Sequence, residues 1–230
     1  MKKLIYISII VAPLILLQSC APTSTITRAV AYPAFYSEPR PLSILVMPPI
    51  NKTMDVDAKE NFYITISKTL CERGYYVVPP FLAMELFQTE SAYDAENFIG
   101  APLNQFREVT GADVVLFTVI IDWKKSGLAA VIVTVEYILR SATSNETIFQ
   151  RTGTITYDTS VNTGAGGLVG LAANVAASAV ATAVQSYLPV AAACNDEVLS
   201  DIPAGKYRPD FNTDQTLFAG PKTVRKTIKK

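Results

Sequence analysis

The sequence contains no histidine, so the chemistry open to it rests on its three cysteines, its carboxylates and one glycine-rich stretch. Ser-His-Asp and Cys-His catalysis are excluded, and the commonest transition-metal ligand is missing. The cysteines are Cys20, Cys71 and Cys194, with no Cys-x-x-Cys pair for thiol redox work. Cys71 and Cys194 could join in an oxidising compartment or remain free thiols, and their spacing does not decide between the two. Glu85, Glu90, Asp94 and Glu96 could pair as acid and base, but a helix end and a polar loop read more simply as solvated surface. Asp55-x-Asp57-x-Lys59 has the start of a calcium loop without the glycine that its turn needs. "GAGGLVG" places Gly164 and Gly166 at the first positions of a dinucleotide loop, but Val169 stands at the third and no Gly-Lys-Ser/Thr follows. It reads as a hinge before a helix. Trp123 reads as a core residue at a sheet edge. No nucleophile, base and oxyanion hole come together, so no catalytic, cofactor or metal site is expected.

Cys20 is different, because its neighbours give its thiol a use. Lys2 and Lys3 precede an uncharged apolar run, Leu4–Leu17, which is too short to span a bilayer comfortably and has the form of a secretory signal. The run ends on Leu17-Gln18-Ser19-Cys20, which resembles the lipobox of bacterial lipoproteins. That resemblance implies cleavage after Ser19 and acylation of the Cys20 sulfur, with Gln18 a less usual occupant. Ala21, where an Asp would favour inner-membrane retention, points to the outer membrane. Several acyl chains would hold the body stably on lipid.

Residues 20–230 suit a single main domain. Basic and acidic residues balance over the whole chain. Lys222, Arg225, Lys226, Lys229 and Lys230 crowd the C-terminus, so the body before them is acidic, which argues against nucleic acid as partner. The basic tail, residues 211–230, is expected to be disordered.

The expected organisation is a signal peptide over 1–19, a lipidated cysteine and Pro-rich tether over 20–41, and an α/β periplasmic domain over 42–210. Tyr32, Phe35 and Tyr36 suggest that the second half of the tether packs on the body. "LSILVM" is a buried strand stopped by Pro48-Pro49. Phe62, Ile66 and Leu70 mark one side of a helix, with Asp57 and Glu60 spaced as a capping box and Gly74 placed to end it. "YYVV" then completes a β-α-β unit. Helices follow over 81–89 and 102–110, with Pro102 in the first turn of the second. "ADVVLFTVIIDW", "LAAVIVTVEYILR" and "IFQRTGTITYD" form an antiparallel meander, with Val131, Val133, Val135, Tyr137 and Leu139 on one side of its middle strand. The fold class is α/β: a mixed sheet opening with a β-α-β unit and ending in the meander, helices packed on it, plus a C-terminal Gly/Ala-rich helix.

That last segment, from Val161 to Cys194, carries no charge. Gly166, Gly170, Asn174, Ser178 and Thr182 form a small-or-polar stripe with a four-residue period. Such stripes pack helices in lipid, but the shortage of large aliphatics favours a helix packed on the sheet or on another subunit.

"PLSILVMPPINKTMDVDAKENFYITISKTLCERGYYVVPPFLAMELFQTESAYDAENF", "GADVVLFTVI", "VTVEYIL" and "DIPAGKY" together resemble an uncharacterised family of bacterial lipoproteins of the vaccine-candidate type, over roughly residues 30–210. By fold that family is similar to the amino-terminal domain of the Tol-system periplasmic protein and to curli-secretion-type lipoproteins. The resemblance implies a non-enzymatic domain that binds other envelope proteins, and Cys20 is the one functional residue it transfers. The function expected is a lipid-anchored component of an export or transport complex, whose partners are membrane lipid, other envelope proteins and identical copies. The flank of the second strand and the Gly-rich segment are the expected contact surfaces. A self-assembling pore subunit is the alternative, though Arg151 on the side of Phe149 spoils the alternation that a barrel hairpin needs. An envelope hydrolase is the remaining reading.

Overall fold

The computed structural model describes residues 26–37, 39–89, 94–127, 129–164, 166–183 and 187–229. The signal peptide and Cys20 lie outside these residues. Helical turns α1 (Arg28–Ala31) and α2 (Pro33–Tyr36) open the described chain, followed by β1 (Ser43–Val46), β2 (Ile50–Asn51), α3 (Ala58–Glu72), β3 (Tyr76–Val77) and α4 (Pro80–Thr89). Then come α5 (Asn104–Thr110), the long strands β4 (Val114–Ser126), β5 (Ala130–Ser141) and β6 (Thr147–Asp158), helices α6 (Gly167–Ala183) and α7 (Tyr187–Val198), and β7 (Thr223–Lys229).

The sheet runs β3-β1-β4-β5-β6-β7, with β2 also on β4. The opening β-α-β unit is parallel, Ser43 facing Tyr76 and Ile44 facing Val77. β4, β5 and β6 form the antiparallel meander, with Leu116, Leu139 and Phe149 in one row. On one side, Phe62, Ile66 and Leu70 of α3 and Val190, Cys194 and Val198 of α7 cover Val133, Val135, Tyr137 and Ile155. On the other, Ala83, Phe87, Leu103 and Phe106 cover Leu45, Met47, Val115 and Phe117. Each large apolar side chain so buried contributes about 1.5–3 kcal/mol. The alternating side of β5 expected from sequence, Val131 through Leu139, is fully inside the core. These positions are occupied by helix packing, so the hairpin has no free apolar side for a barrel wall.

A polar thread crosses this core. The Tyr137 hydroxyl donates to Asn195 Oδ1, whose Nδ2 donates to Thr65 Oγ1 at 2.8 Å. Burial raises the Tyr137 pKa well above its ordinary value. The hydroxyl therefore stays a donor and ties α7 to both β5 and α3.

Several local expectations need correction. Asp57 sits before α3 but makes no side-chain cap, because it is already in helical geometry (φ −73°, ψ −16°). The loop ahead of α3 is held instead by Asn51, whose Oδ1 accepts from Thr53 N at 3.0 Å and whose Nδ2 donates to Asp55 O at 2.6 Å. Pro102 precedes α5 rather than entering it, and Leu103 is the residue at its N-terminus. Trp123 is no edge residue: β4 is central and continues to Ser126, and the indole packs on Phe62 and Tyr187. The Gly/Ala segment forms α6 and α7 rather than one helix. The tail expected to be disordered contributes β7, parallel to β6 from Thr152–Thr223 to Asp158–Lys229. Its lysines hid a strand signal: Val224 and Ile228 turn half-buried toward the core, and the charges face out, as suits an edge.

Gly74 makes a closely packed left-handed turn. It ends α3 with φ +86°, its N–H bonding to Cys71 O at 2.9 Å while Tyr75 N bonds to Leu70 O at 3.2 Å. A Cβ there would stand 2.8 Å from Arg208 N and 2.9 Å from Gly205 O. Gly74→Ala is expected to cost about 2 kcal/mol or more. Gly100→Ala, with no atom within 4 Å of the added Cβ, is expected to be near neutral. Urea unfolding midpoints of the two variants check this.

Candidate functional site

From Ile26 the described chain forms a strap on the body, where a tether was expected. Thr27 bridges to Phe218, Arg28 N donates to Leu217 O at 2.8 Å, and Ala219 N donates to Ile26 O at 2.8 Å. Tyr32 and Phe35 are buried, and the Tyr32 ring lies 5.1 Å from that of Phe149. Sequence alone placed Tyr32, Phe35 and Tyr36 against the body, and they are there. The pinning begins earlier, at Ile26.

Two buried carboxylates clamp the strap. Asp201 Oδ2 accepts from the Tyr32 hydroxyl at 2.6 Å and from Gly220 N at 2.8 Å, and Oδ1 accepts from Arg28 Nε at 3.3 Å. Asp214 Oδ2 accepts from Ala204 N at 2.7 Å, the Tyr36 hydroxyl at 3.0 Å and Arg28 Nη1 at 3.4 Å. Burial, and then the adjoining carboxylates, push the Tyr32 and Tyr36 pKa values upward. Both hydroxyls therefore remain donors. Charges this deep persist only when paired and hydrogen-bonded; both carboxylates face Arg28, and Asp214 takes its hydrogen bonds through Oδ2 alone, its Oδ1 being buried without a partner. Nothing in the local sequence links positions 28, 32 and 36 to 201 and 214, so reasoning from sequence missed both carboxylates.

Arginines do similar work for the irregular chain around the clamp. Arg151, buried beside Phe149, donates to Val198 O, Ser200 Oγ and Pro221 O, each at 3.0 Å. Gly220 lies against its guanidinium, where a Cβ would come within 2.5 Å of Nη2. Arg40 donates to Ala204 O and Asn212 Oδ1 and stacks over Tyr36 and Phe211. Each satisfies carbonyls that have no strand or helix partner.

The residues weighed for chemistry are scattered. Glu85, Asp94 and Glu96 are exposed, and Glu90 lies outside the described residues. Asp55 accepts a hydrogen bond from Tyr187, which, followed by burial, raises the tyrosine pKa to about 12. Gly164, in the loop before α6, and Gly167, its first residue, both adopt positive φ. Cys71 is exposed and Cys194 buried, both as free thiols, and burial raises the Cys194 pKa. Among the described residues, no group of three or more His, Cys, Asp or Glu could hold a metal ion.

What the surface does offer is apolar. A groove of about 310 Å³ is lined by Pro48, Pro49, Tyr63, Ile64 and Met84, with Lys59, Glu60 and Gln88 at its polar positions. Ile64 is exposed, as are Phe81 and Leu82 of α4. The inner side of α4 is taken by Ala83 and Phe87. β3, the flank favoured from sequence, is an edge of the sheet and exposes Tyr76.

A family model described as "Putative lipoprotein GNA1162-like" matches residues 30–207. The chain belongs to the GNA1162-like lipoprotein family. The family resemblance drawn from the β-α-β residues is thus borne out. "Putative lipoprotein NMB1124/NMB1162" of Neisseria meningitidis serogroup B (strain ATCC BAA-335 / MC58) is 29% identical over 91 residues, covering 40% of this chain and 42% of that relative. The matched part is therefore under half of that relative's length. Among solved structures, lipoprotein GNA1162 from Neisseria meningitidis is similar at 21% identity and TM-score 0.47, covering 64% of this chain and 100% of that one. A PelC dodecamer from Paraburkholderia phytofirmans is similar at 15% identity and TM-score 0.43, covering 70% and 89%. The LpoB C-terminal domain from Salmonella enterica is similar at 13% identity and TM-score 0.34, covering 63% and 90%.

In this GNA1162-like chain the model match begins inside the strap, so the strap's grip can be tested directly. Asp201→Ala strands the Tyr32 hydroxyl and Gly220 N and leaves Arg28 with Asp214 as its remaining carboxylate partner, at an expected cost of about 3 kcal/mol. Tyr32→Phe removes one hydrogen bond and should cost about 1 kcal/mol. Limited proteolysis of Asp201→Ala should cut first between residues 26 and 40, before global unfolding. Unchanged cleavage would show that the strap does not depend on this clamp.

Proposed function

We propose that this lipoprotein is acylated at Cys20, held by its lipid on the outer membrane with its body in the periplasm, and works as a binding and assembly component of a cell-envelope export or transport complex. Membership of a lipoprotein family supports the anchor, together with Lys2-Lys3, the apolar run and Leu17-Gln18-Ser19-Cys20. The observation that carries the reading is the strap. From Thr27 onward the chain is clamped to the body, so an anchor at Cys20 fixes where the body stands. Residues 21–26 can reach at most about 20 Å even when fully extended.

The binding role rests on the apolar groove by Pro48 and Pro49 and on the β3 edge, which suit an extended segment of another protein. These surfaces lie apart from any assembled nucleophile or acid-base pair, which favours binding over catalysis.

Cross-linking in intact cells, followed by gentle detergent extraction and mass spectrometry, tests this. Wild type should carry an acyl mass on Cys20 and recover a defined set of envelope proteins. Cys20→Ala should lose both. Recovery of the same partners by Cys20→Ala would separate binding from the anchor. Recovery of identical copies alone, still in the membrane fraction, would favour the self-assembling reading.

A further inference from the structure

Helix α6 is built inside out. On its inner side Thr182, Ser178 and Asn174, spaced four apart, meet Thr159, Val161 and Thr163, spaced two apart. The Thr182 and Thr159 hydroxyls bond to each other, and Val161 N donates to Ser178 Oγ at 2.9 Å. Thr163 N and Oγ1 both donate to Asn174 Oδ1 at 2.7 Å. Four helical residues advance about 6 Å and two extended ones about 6.6 Å, so the helix and the chain leading into it run antiparallel in step. The small-or-polar stripe is consumed by this zipper. The large aliphatics are left outside: Leu168 is 85% exposed and Val169 81%, with Leu171, Val175 and Val180 also exposed.

We propose that α6 lies in the plane of the bilayer that holds the acylated N-terminus, with Leu168, Val169, Leu171, Val175 and Val180 among the acyl chains. This rests on acylation of Cys20. The length of chain outside the structure argues for lipid as the occupant. Ile26 is pinned to Ala219, four residues before β7 begins opposite Thr152, and the extended segment that leads into α6 departs from Thr159, just past the Asp158–Lys229 row. From the Thr152 row to the Asp158 row is about 20 Å, which residues 21–26 can span. The anchor therefore keeps the α6 end of the sheet within reach of the membrane surface.

The chemistry agrees. Residues 161–195 carry no charge, so lipid contact desolvates no ion. Lys124, Lys125 and Lys229 end their strands at this same edge, where lipid headgroups would lie. The carboxylates near this end include Asp122, paired with Lys124 at 2.6 Å, Asp158, which faces Lys229 across the strands, and Asp55 and Asp57, which face Tyr187. No single helix among the described residues is long and apolar enough to cross a membrane, but lying in its surface needs only one apolar side.

Leu168→Trp tests the proposal in the full chain, with the partly buried Trp123, packed on Phe62 and Tyr187, as internal reference. The protein is mixed with vesicles of phosphatidylcholine and phosphatidylglycerol, with and without brominated acyl chains, and acylation of Cys20 is read by mass. The expected result is a blue shift and strong bromine quenching of the added indole, with Trp123 emission unchanged in the parent. Vesicle-bound, acylated protein without that quenching would overturn the lipid contact while leaving the anchor intact. Quenching without an acyl mass on Cys20 would support the contact and sink the anchor. Emission already blue-shifted before vesicles are added, with a multimer in solution and no bromine quenching, would overturn the lipid contact in favour of a second copy on α6.

Discussion

Two buried carboxylates, Asp201 and Asp214, hold this fold closed. Between α7 and β7 the chain must travel from one side of the sheet to its far edge through irregular backbone. Such a path leaves N–H and carbonyl groups that no ladder satisfies. Asp201 and Asp214 take up Gly220 N and Ala204 N from that path, and also Arg28, Tyr32 and Tyr36 from the strap. Each carboxylate therefore joins the two ends of the chain. Without them, β7 would have no fixed point of entry and the strap no seat.

The arginines complete the arrangement from the opposite charge. Arg151, Arg40 and Arg140 aim their donors mainly at carbonyls, with Arg140 collecting those of Ile99, Ala101 and Asn145. A guanidinium can meet several carbonyls at fixed angles where a lysine could not. Arg151 also shows why the β5–β6 hairpin belongs in a packed core. Its side of β6 faces α7 and the C-terminal path, and Gly153 beside it is bare because Val198 fills the space.

In the proposed lipid-anchored arrangement the strap, from Ile26 onward, is part of the rigid body, so an anchor at Cys20 would couple position on the membrane to the orientation of the groove and the β3 edge. The groove beside Pro48 and Pro49 lies between α3 and α4, on the β3 side of the sheet. α6 lies beyond the end of β6. The two surfaces are separate and could be engaged together.

Much of this was legible in the sequence. Short-range patterns gave the β-α-β unit, the meander with Val131 to Leu139 inward, and Gly74 as a helix stop, because strand alternation, helix spacing and a left-handed turn are written locally. The lipobox resemblance is also local, and with Lys2, Lys3 and the apolar run it is the basis for expecting acylation at Cys20, which lies outside the described residues. The capping box failed because Asn51 organised the preceding loop first. β7 was missed because an edge strand with half-buried Val224 and Ile228 carries its lysines outward and looks like a solvated tail. Tertiary structure alone decided that Asp201 and Asp214 clamp Arg28, Tyr32 and Tyr36, since residues so far apart meet only when the chain folds back. It alone decided which way the stripe of α6 faces. The four-residue period was visible, but its polar members turn inward only because an extended segment, Thr159 to Thr163, lies alongside with matching rise, and that leaves the aliphatic side outward.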